Sequence, residues 1–277
     1  MNLLRQPAKS ARLHTGYRVY TDGGYVHDER ERIKRQQAQY MNTPKLMLDY
    51  LKSSPMAQRA FDNQGKERVR QNIDCLFQRC SEMTQLEPDA LLDHLDFQPN
   101  SREDEEWLAA LFAVMRTIIL LHERISFDKI TPLKKLEDGP EADLKATRRG
   151  VTYAIEVCRT KETKPLDYSS ELGERIAKRY YGNKKEEGKK KQLRSTMVEH
   201  GCSRAILVTV FDSFSCDLYV NQTFTGQPLQ RLGEAAEYAF AGMGLPEKTH
   251  VLIFTNANGN EQSEEDQHWA IEPALPD

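Results

Sequence analysis

Residues 141–160, EADLKATRRGVTYAIEVCRT, decide how this chain is read. Alternation of apolar and polar residues marks Thr152–Thr160 as a strand, and Glu141–Thr147 as a shorter strand before it. Arg148, Arg149 and Gly150 form a tight polar turn between them, so the two strands pair as a hairpin. That pairing brings Asp143 and Glu156 to the same side of neighbouring strands. Glu156 stands among the apolar neighbours of TYAIEVC, where an uncompensated carboxylate would be costly to bury. Two carboxylates beside a backbone carbonyl form an oxygen-rich site suited to a hard cation such as Mg²⁺ or Mn²⁺. A cation there activates water and stabilises charge on a phosphodiester during in-line displacement. A plainer reading of the same residues also exists, with Asp143 capping the hairpin and Glu156 paired to Lys145 across the strands.

Working outward, Ser101 and the acids Glu103–Glu106 mark a helix N-terminus, and the helix runs to about His122, apolar nearly all round. Ile125–Leu133 alternates as a strand. After the hairpin comes a basic helical region, Ser169–Glu199, interrupted near Gly182 and Gly188. Ala205–Phe211 (AILVTVF) and His250–Thr255 (HVLIFT) are apolar runs typical of strands buried on both faces. Leu229–Ala241 is an amphipathic helix, and Gln267–Glu272 is an edge strand. The expected fold class is α/β, a mixed central sheet flanked by helices over residues 101–277. A mostly helical N-terminal region, residues 1–100, precedes it; Pro44–Ser53 and Lys66–Ser81 are helices, the latter with Val69, Ile73, Leu76, Phe77 and Cys80 on one face. Tyr20–Gly24 reads as a turn, and Arg30–Tyr40 as a polar helix or linker.

The element order and the carboxylate pair resemble the PD-(D/E)XK nuclease superfamily, the restriction-endonuclease-like fold, over roughly residues 103–255. The resemblance implies a metal-dependent nuclease hydrolysing phosphodiester bonds, DNA in preference to RNA, with Asp143 and Glu156 as metal ligands. It implies a third acid from the first helix, Glu105 or Glu106, of which Glu106 is taken here. The family's Pro-Asp dipeptide is loosened to Pro140-Glu141-Ala142-Asp143. A polar residue on the following helix matches Gln192 by position. Two residues after Glu156, where the family carries a lysine that orients or activates water, this chain has Cys158, a neutral thiol. Lys145 is the first candidate for a relocated lysine, with Lys161 and Lys190 second. The alternative is a catalytically inactive module of the same fold that binds nucleic acid or a protein partner.

Charge is segregated along the 277 residues, whose net charge is only -3. Nine acids face Arg102 alone between Glu82 and Glu106, whereas ten bases face four acids between Gly173 and Arg204. Lys184, Lys185, Lys189, Lys190 and Gln192 follow the carboxylate pair and are expected to grip phosphates, with Tyr180 and Tyr181 as stacking or packing residues. A charge run is also what an ordinary solvated helix face looks like. The apolar faces of the N-terminal helices could mediate assembly with a second copy or a protein partner.

Other chemistries lack their motifs. Cys75 and Cys80 are five apart, with no CxxC, HExxH, GxSxG or P-loop in the chain. Five cysteines at irregular spacing do not describe a disulfide framework. Gly242-Met243-Gly244 reads as a helix end, Asp212 as a loop start, and His122 and His200 as structural histidines near helix ends. No apolar run reaches the roughly 20 residues of a membrane span, and no secretory signal is read at the start, so the cytoplasm is the location expected by default.

Overall fold

A computed structural model describes residues 42–54, 58, 62, 65–95, 104–134, 141–160, 169–183, 186–211, 228–242, 244–255 and 269–276. The Tyr20–Gly24 and Arg30–Tyr40 segments and Asp212 fall outside them. Within them the elements are α1 (Lys45–Ser53), α2 (Lys66–Thr84), α3 (Pro88–His94), α4 (Asp104–Glu123), β1 (Lys129–Pro132), β2 (Leu144–Arg148) and β3 (Val151–Thr160). There follow α5 (Ser169–Tyr181), β4 (Gly182–Asn183), β5 (Glu186–Glu187), α6 (Lys189–Glu199), β6 (Arg204–Phe211), α7 (Pro228–Glu237) running into a π-helical turn (Tyr238–Gly242), β7 (Thr249–Thr255) and β8 (Trp269–Glu272).

Among the described residues the main sheet has six strands in the order β1-β2-β3-β6-β7-β8. β1, β2 and β3 form an antiparallel meander; β6 runs parallel to β3, β7 parallel to β6, and β8 closes the edge antiparallel to β7. This mixed sheet follows from the connections. Arg149 (φ 48°) and Gly150 (φ 78°) make a two-residue turn that joins antiparallel neighbours, and both residues take the left-handed backbone that such turns need. The parallel neighbours are instead joined through α5–α6 and through α7, since a parallel pair requires a long crossover.

One face of the sheet packs on α1, α2, α3 and α4 through Met47, Phe77, Leu91, Met115 and Ile118, against Tyr153, Ile155, Val208 and Phe254. The opposite face packs on α5, α6 and α7 through a core of smaller residues, including Ala154, Cys158, Ala205, Ala235, Ala236 and Ala239. The expected face of α2 is in place: Ile73, Leu76, Phe77 and Cys80 are buried. α4 is buried along most of its length from Leu108 to Leu121. No described helix is long and apolar enough to cross a membrane.

Two strand boundaries differ from the sequence expectation. Ile125 and Phe127 are not strand residues: their amides close the end of α4 on the carbonyls of Leu120 and Leu121, with Ser126 at φ 61° between them. The apolar alternation there comes from a helix C-terminus whose capping residues point into the core, leaving β1 to start at Lys129. Likewise Glu141–Asp143 precede β2, because the amide of Ala142 donates to Thr196 Oγ1 of α6 (2.8 Å) instead of entering the ladder. The basic helical region is divided by the β4–β5 hairpin.

Candidate active site

The β2–β3 register, Leu144 opposite Ile155 and Lys145 opposite Ala154, sets Asp143 just ahead of β2 on a level with Glu156. On β3 the odd residues Tyr153 and Ile155 enter the α1–α4 core and the even residues Ala154 and Cys158 the α5–α7 core. By strand alternation Glu156 shares the second face. Its side chain is only 1% exposed. Asp143 Oδ2 accepts a hydrogen bond from the amide of Val157 at 2.7 Å, which ties its carboxylate to the strand beside Glu156.

Among its partners Glu156 is paired with Lys189, whose Nζ lies 2.5 Å from Glu156 Oε1. Lys189 is the first residue of α6 and follows Gly188. A Cβ on Gly188 would stand 2.5 Å from the carbonyl oxygen of Arg179 and 2.2 Å from the amide of Gly182. Only glycine allows the chain to return this closely over the end of α5, and that return places the start of α6 over Glu156. Burial works against the Lys189 charge, but the carboxylate of Glu156, with Cys158 and Asp143 behind it, outweighs burial and raises the ammonium's pKa. Lys189 therefore keeps its proton throughout the neutral range.

Cys158 is buried beside this pair. Burial first, then the negative charge of Glu156, pushes its thiol up to about 12, against the smaller opposing effects of Lys189 and Arg179. It is neutral at any physiological pH, neither a cation nor a thiolate ligand. Asp143 and Glu156 thus present carboxylate oxygens without a competing thiolate. That donor chemistry fits a hard divalent cation such as Mg²⁺ or Mn²⁺.

The remaining expected residues are distributed differently. Lys145 donates to the backbone carbonyl of His200 at the end of α6 (2.8 Å). Lys190 lies 5.3 Å from the ring centre of Tyr181, and Gln192 Nε2 reaches the carbonyl of Glu141 at 3.5 Å. Lys161, Lys184 and Lys185 lie outside the described residues. Glu105 and Glu106 are in the first turn of α4, but their side chains are not among those described. Tyr180 is buried whereas Tyr181 is exposed, and Tyr181 lines an open pocket with Lys190, Lys191, Arg194 and Val198. This basic surface lies on the helix whose first residue contacts Glu156.

Sequence reasoning named Lys189 for phosphate binding and did not associate it with the carboxylates. The available signal was Gly188: a glycine immediately before a helix start, at the end of a short polar hairpin, marks a close chain approach. A second grouping was also missed. Glu141, Glu199 and His200 bring ligand-type atoms within 4.8 Å of one another, with Glu141 Oε1 and His200 Nε2 3.6 Å apart. Comparison of the chain with family models, with curated proteins and with solved structures returns no match.

Proposed function

We propose that this protein is a metal-dependent phosphodiester hydrolase of the nuclease type, restriction-endonuclease-like in fold, acting on DNA in preference to RNA. One observation carries the reading: a lysine from α6, Lys189, reaches the buried Glu156 beside Asp143. This supplies from a helix the positive charge that Cys158 does not supply from the strand. The order of helix, antiparallel meander, helix, parallel strand, helix, parallel strand supports the same reading.

Asp143 and Glu156 would hold Mg²⁺ or Mn²⁺, which would supply an activated water and charge stabilisation at the phosphate. The protein's own contribution is positional. The Val157 amide fixes Asp143, and the strand fixes Glu156. Lys189, held protonated, acts through its charge, orienting water and offsetting negative charge on the phosphate; its raised pKa makes it a poor base. Lys190, Lys191 and Arg194 on the same helix provide phosphate contacts that position the strand without reading sequence.

The test is cleavage of plasmid and linear DNA, and of RNA, with Mg²⁺ or Mn²⁺. Asp143→Asn, Glu156→Gln and Lys189→Ala should each lower the rate by roughly 100-fold or more, and Lys145→Ala should leave it within a few-fold. Placing a lysine at the strand position, Cys158→Lys in the Lys189→Ala background, should recover part of the lost rate. Cleavage that persists in both carboxylate variants would overturn the site. Salt-sensitive DNA binding with no cleavage under any metal would favour the inactive-module reading, in which Glu156–Lys189 is a structural ion pair and the neutral Cys158 marks lost chemistry.

A further inference from the structure

A buried carboxylate normally has a hydrogen-bond donor, and an exception calls for a bound water or ion. Glu141 is such an exception. Its side chain is 7% exposed, and its partner among the described residues is the imidazole of His200, whose Nε2 stands 3.6 Å away, beyond hydrogen-bonding distance. His200 Nε2 is itself shielded from solvent and makes no hydrogen bond. Two complementary polar atoms thus face each other across a gap too wide for a direct bond. Glu199, the residue before His200, brings a third ligand-type atom within 4.8 Å, with Ser195 Oγ donating to its Oε1 at 2.9 Å.

We propose that Glu141, Glu199 and His200 form a binding site for a divalent transition-metal ion, Zn²⁺ foremost, that clamps the C-terminal end of α6 to the chain entering β2. The spacing suits the ion. Two ligands at about 2.1 Å from a tetrahedral Zn²⁺ are separated by roughly 3.4 Å, close to the gap between Glu141 and His200. The donor set selects the class, since an imidazole with two carboxylates is a zinc-type set, whereas Mg²⁺ and Ca²⁺ take oxygen alone. The nearby Lys145 is engaged elsewhere, its ammonium donating to the His200 carbonyl at 2.8 Å. The three ligands leave a fourth position for water. None of them belongs to the Asp143–Glu156–Lys189 group, so the site stands whether or not the nuclease reading does.

The backbone around the site is already fixed, as a tight site requires. Ala142 is bonded to Thr196 (2.8 Å), and Gln192 reaches the Glu141 carbonyl (3.5 Å), so α6 holds the chain carrying Glu141 at two further points. Occupancy would reinforce the far end of the helix whose first residue contacts Glu156.

The experiment uses the full chain stripped of metal by a chelator, then titrated with Zn²⁺ in competition with a chromogenic chelator, and separately with Co²⁺ as a spectroscopic probe. One equivalent of Zn²⁺ should be held against the chelator in the parent and in the Asp143→Asn, Glu156→Gln double variant alike, and the Co²⁺ form of that double variant should show intense visible bands of four-coordinate geometry without a thiolate charge-transfer band. His200→Gln and Glu141→Gln should weaken binding by roughly 10–100-fold or more. Glu199→Gln, on an exposed side chain that leaves folding untouched, should weaken it in the same direction. The double variant Asp143→Asn, Glu156→Gln should bind Zn²⁺ as the parent does. Unchanged affinity in Glu199→Gln and His200→Gln, a thiolate band, loss of binding in the Asp143/Glu156 double variant, or no stoichiometric binding would each overturn the proposal.

Discussion

The two faces of β3 are built from the same strand and solve opposite problems. On one, Tyr153 and Ile155 meet α2 and α4 in a core of large side chains, with Phe77, Phe127 and Met115 fully buried. On the other, Ala154 and Cys158 meet α5–α7 in a core where alanines and cysteines are interspersed with aliphatic residues and Tyr180. Large side chains fill space and favour one rigid packing. Small ones leave room for Glu156, its lysine partner and the backbone of Gly188 to approach. The first face stabilises the sheet, and the second holds charge inside it.

The comparison can be broken most directly by one substitution on each face. Phe77→Ala should cost about 3–5 kcal/mol, with a loss that is the same at acid and neutral pH, because no titrating group is exposed. Lys189→Ala should cost less, about 2 kcal/mol, since a side chain 37% exposed forms only a partly desolvated pair. Its cost should depend on pH. Burial of a carboxyl that is 1% exposed disfavours its charged form once Lys189 is gone, so the variant's loss of stability should be smaller at acid pH than at neutral pH. Urea unfolding at about pH 4.5 and about pH 8 measures both variants. A pH-independent Lys189→Ala loss would mean that Glu156 is charged and compensated by other groups.

A smaller effect separates the sheet centre from its edge. His250, on β7, is wholly buried. Its Nδ1 lies 2.7 Å from the Pro273 carbonyl and its Nε2 3.2 Å from the guanidinium of Arg204. A neutral imidazole satisfies both contacts, donating from Nδ1 and accepting at Nε2. Burial lowers its pKa, Pro273 works the other way, and Arg204 adds to the lowering. A depressed folded pKa means that this contribution is complete above the unfolded value near 6.5 and is lost as pH falls below it. His250→Gln should flatten the decline in melting temperature between about pH 6.5 and pH 5. An unchanged slope would assign the decline to carboxylates.

How much of this was legible beforehand follows from the range of the interactions. The hairpin, its turn and the shared side of Asp143 and Glu156 are local and period-two, so EADLKATRRGVTYAIEVC spells them out. The two buried parallel strands are visible as apolar runs, AILVTVF and HVLIFT. Ile125 and Phe127 misled because a helix cap and a strand both place apolar residues two apart. Lys189 was not legible as the partner of Glu156, because the two are joined by a chain reversal over Gly188 that no periodicity encodes. Glu141 and His200 were missed for the same reason: they meet only once α6 has packed on the entrance to β2.

The smallest effect tests the feature on which both faces depend. Arg149 and Gly150 set the β2–β3 register, and a slip of one residue would carry Glu156 to the Phe77 side and Ile155 to the charged side. Arg149 holds φ 48°, a conformation that asparagine adopts more readily than arginine. Its amide donates to Asp128 Oδ2 at 2.8 Å, a bond that substitution of the side chain leaves in place. Arg149→Asn should therefore raise stability by about 0.3–0.5 kcal/mol, read as a higher denaturant midpoint at unchanged slope. It should leave the pH dependence of Lys189→Ala intact when the two are combined, since the turn fixes where Glu156 points and not what it meets there. A lower midpoint would mean that the arginine side chain holds the turn more strongly than its backbone strain opposes it, so that the register is secured by the side chain at Arg149 and not by backbone preference.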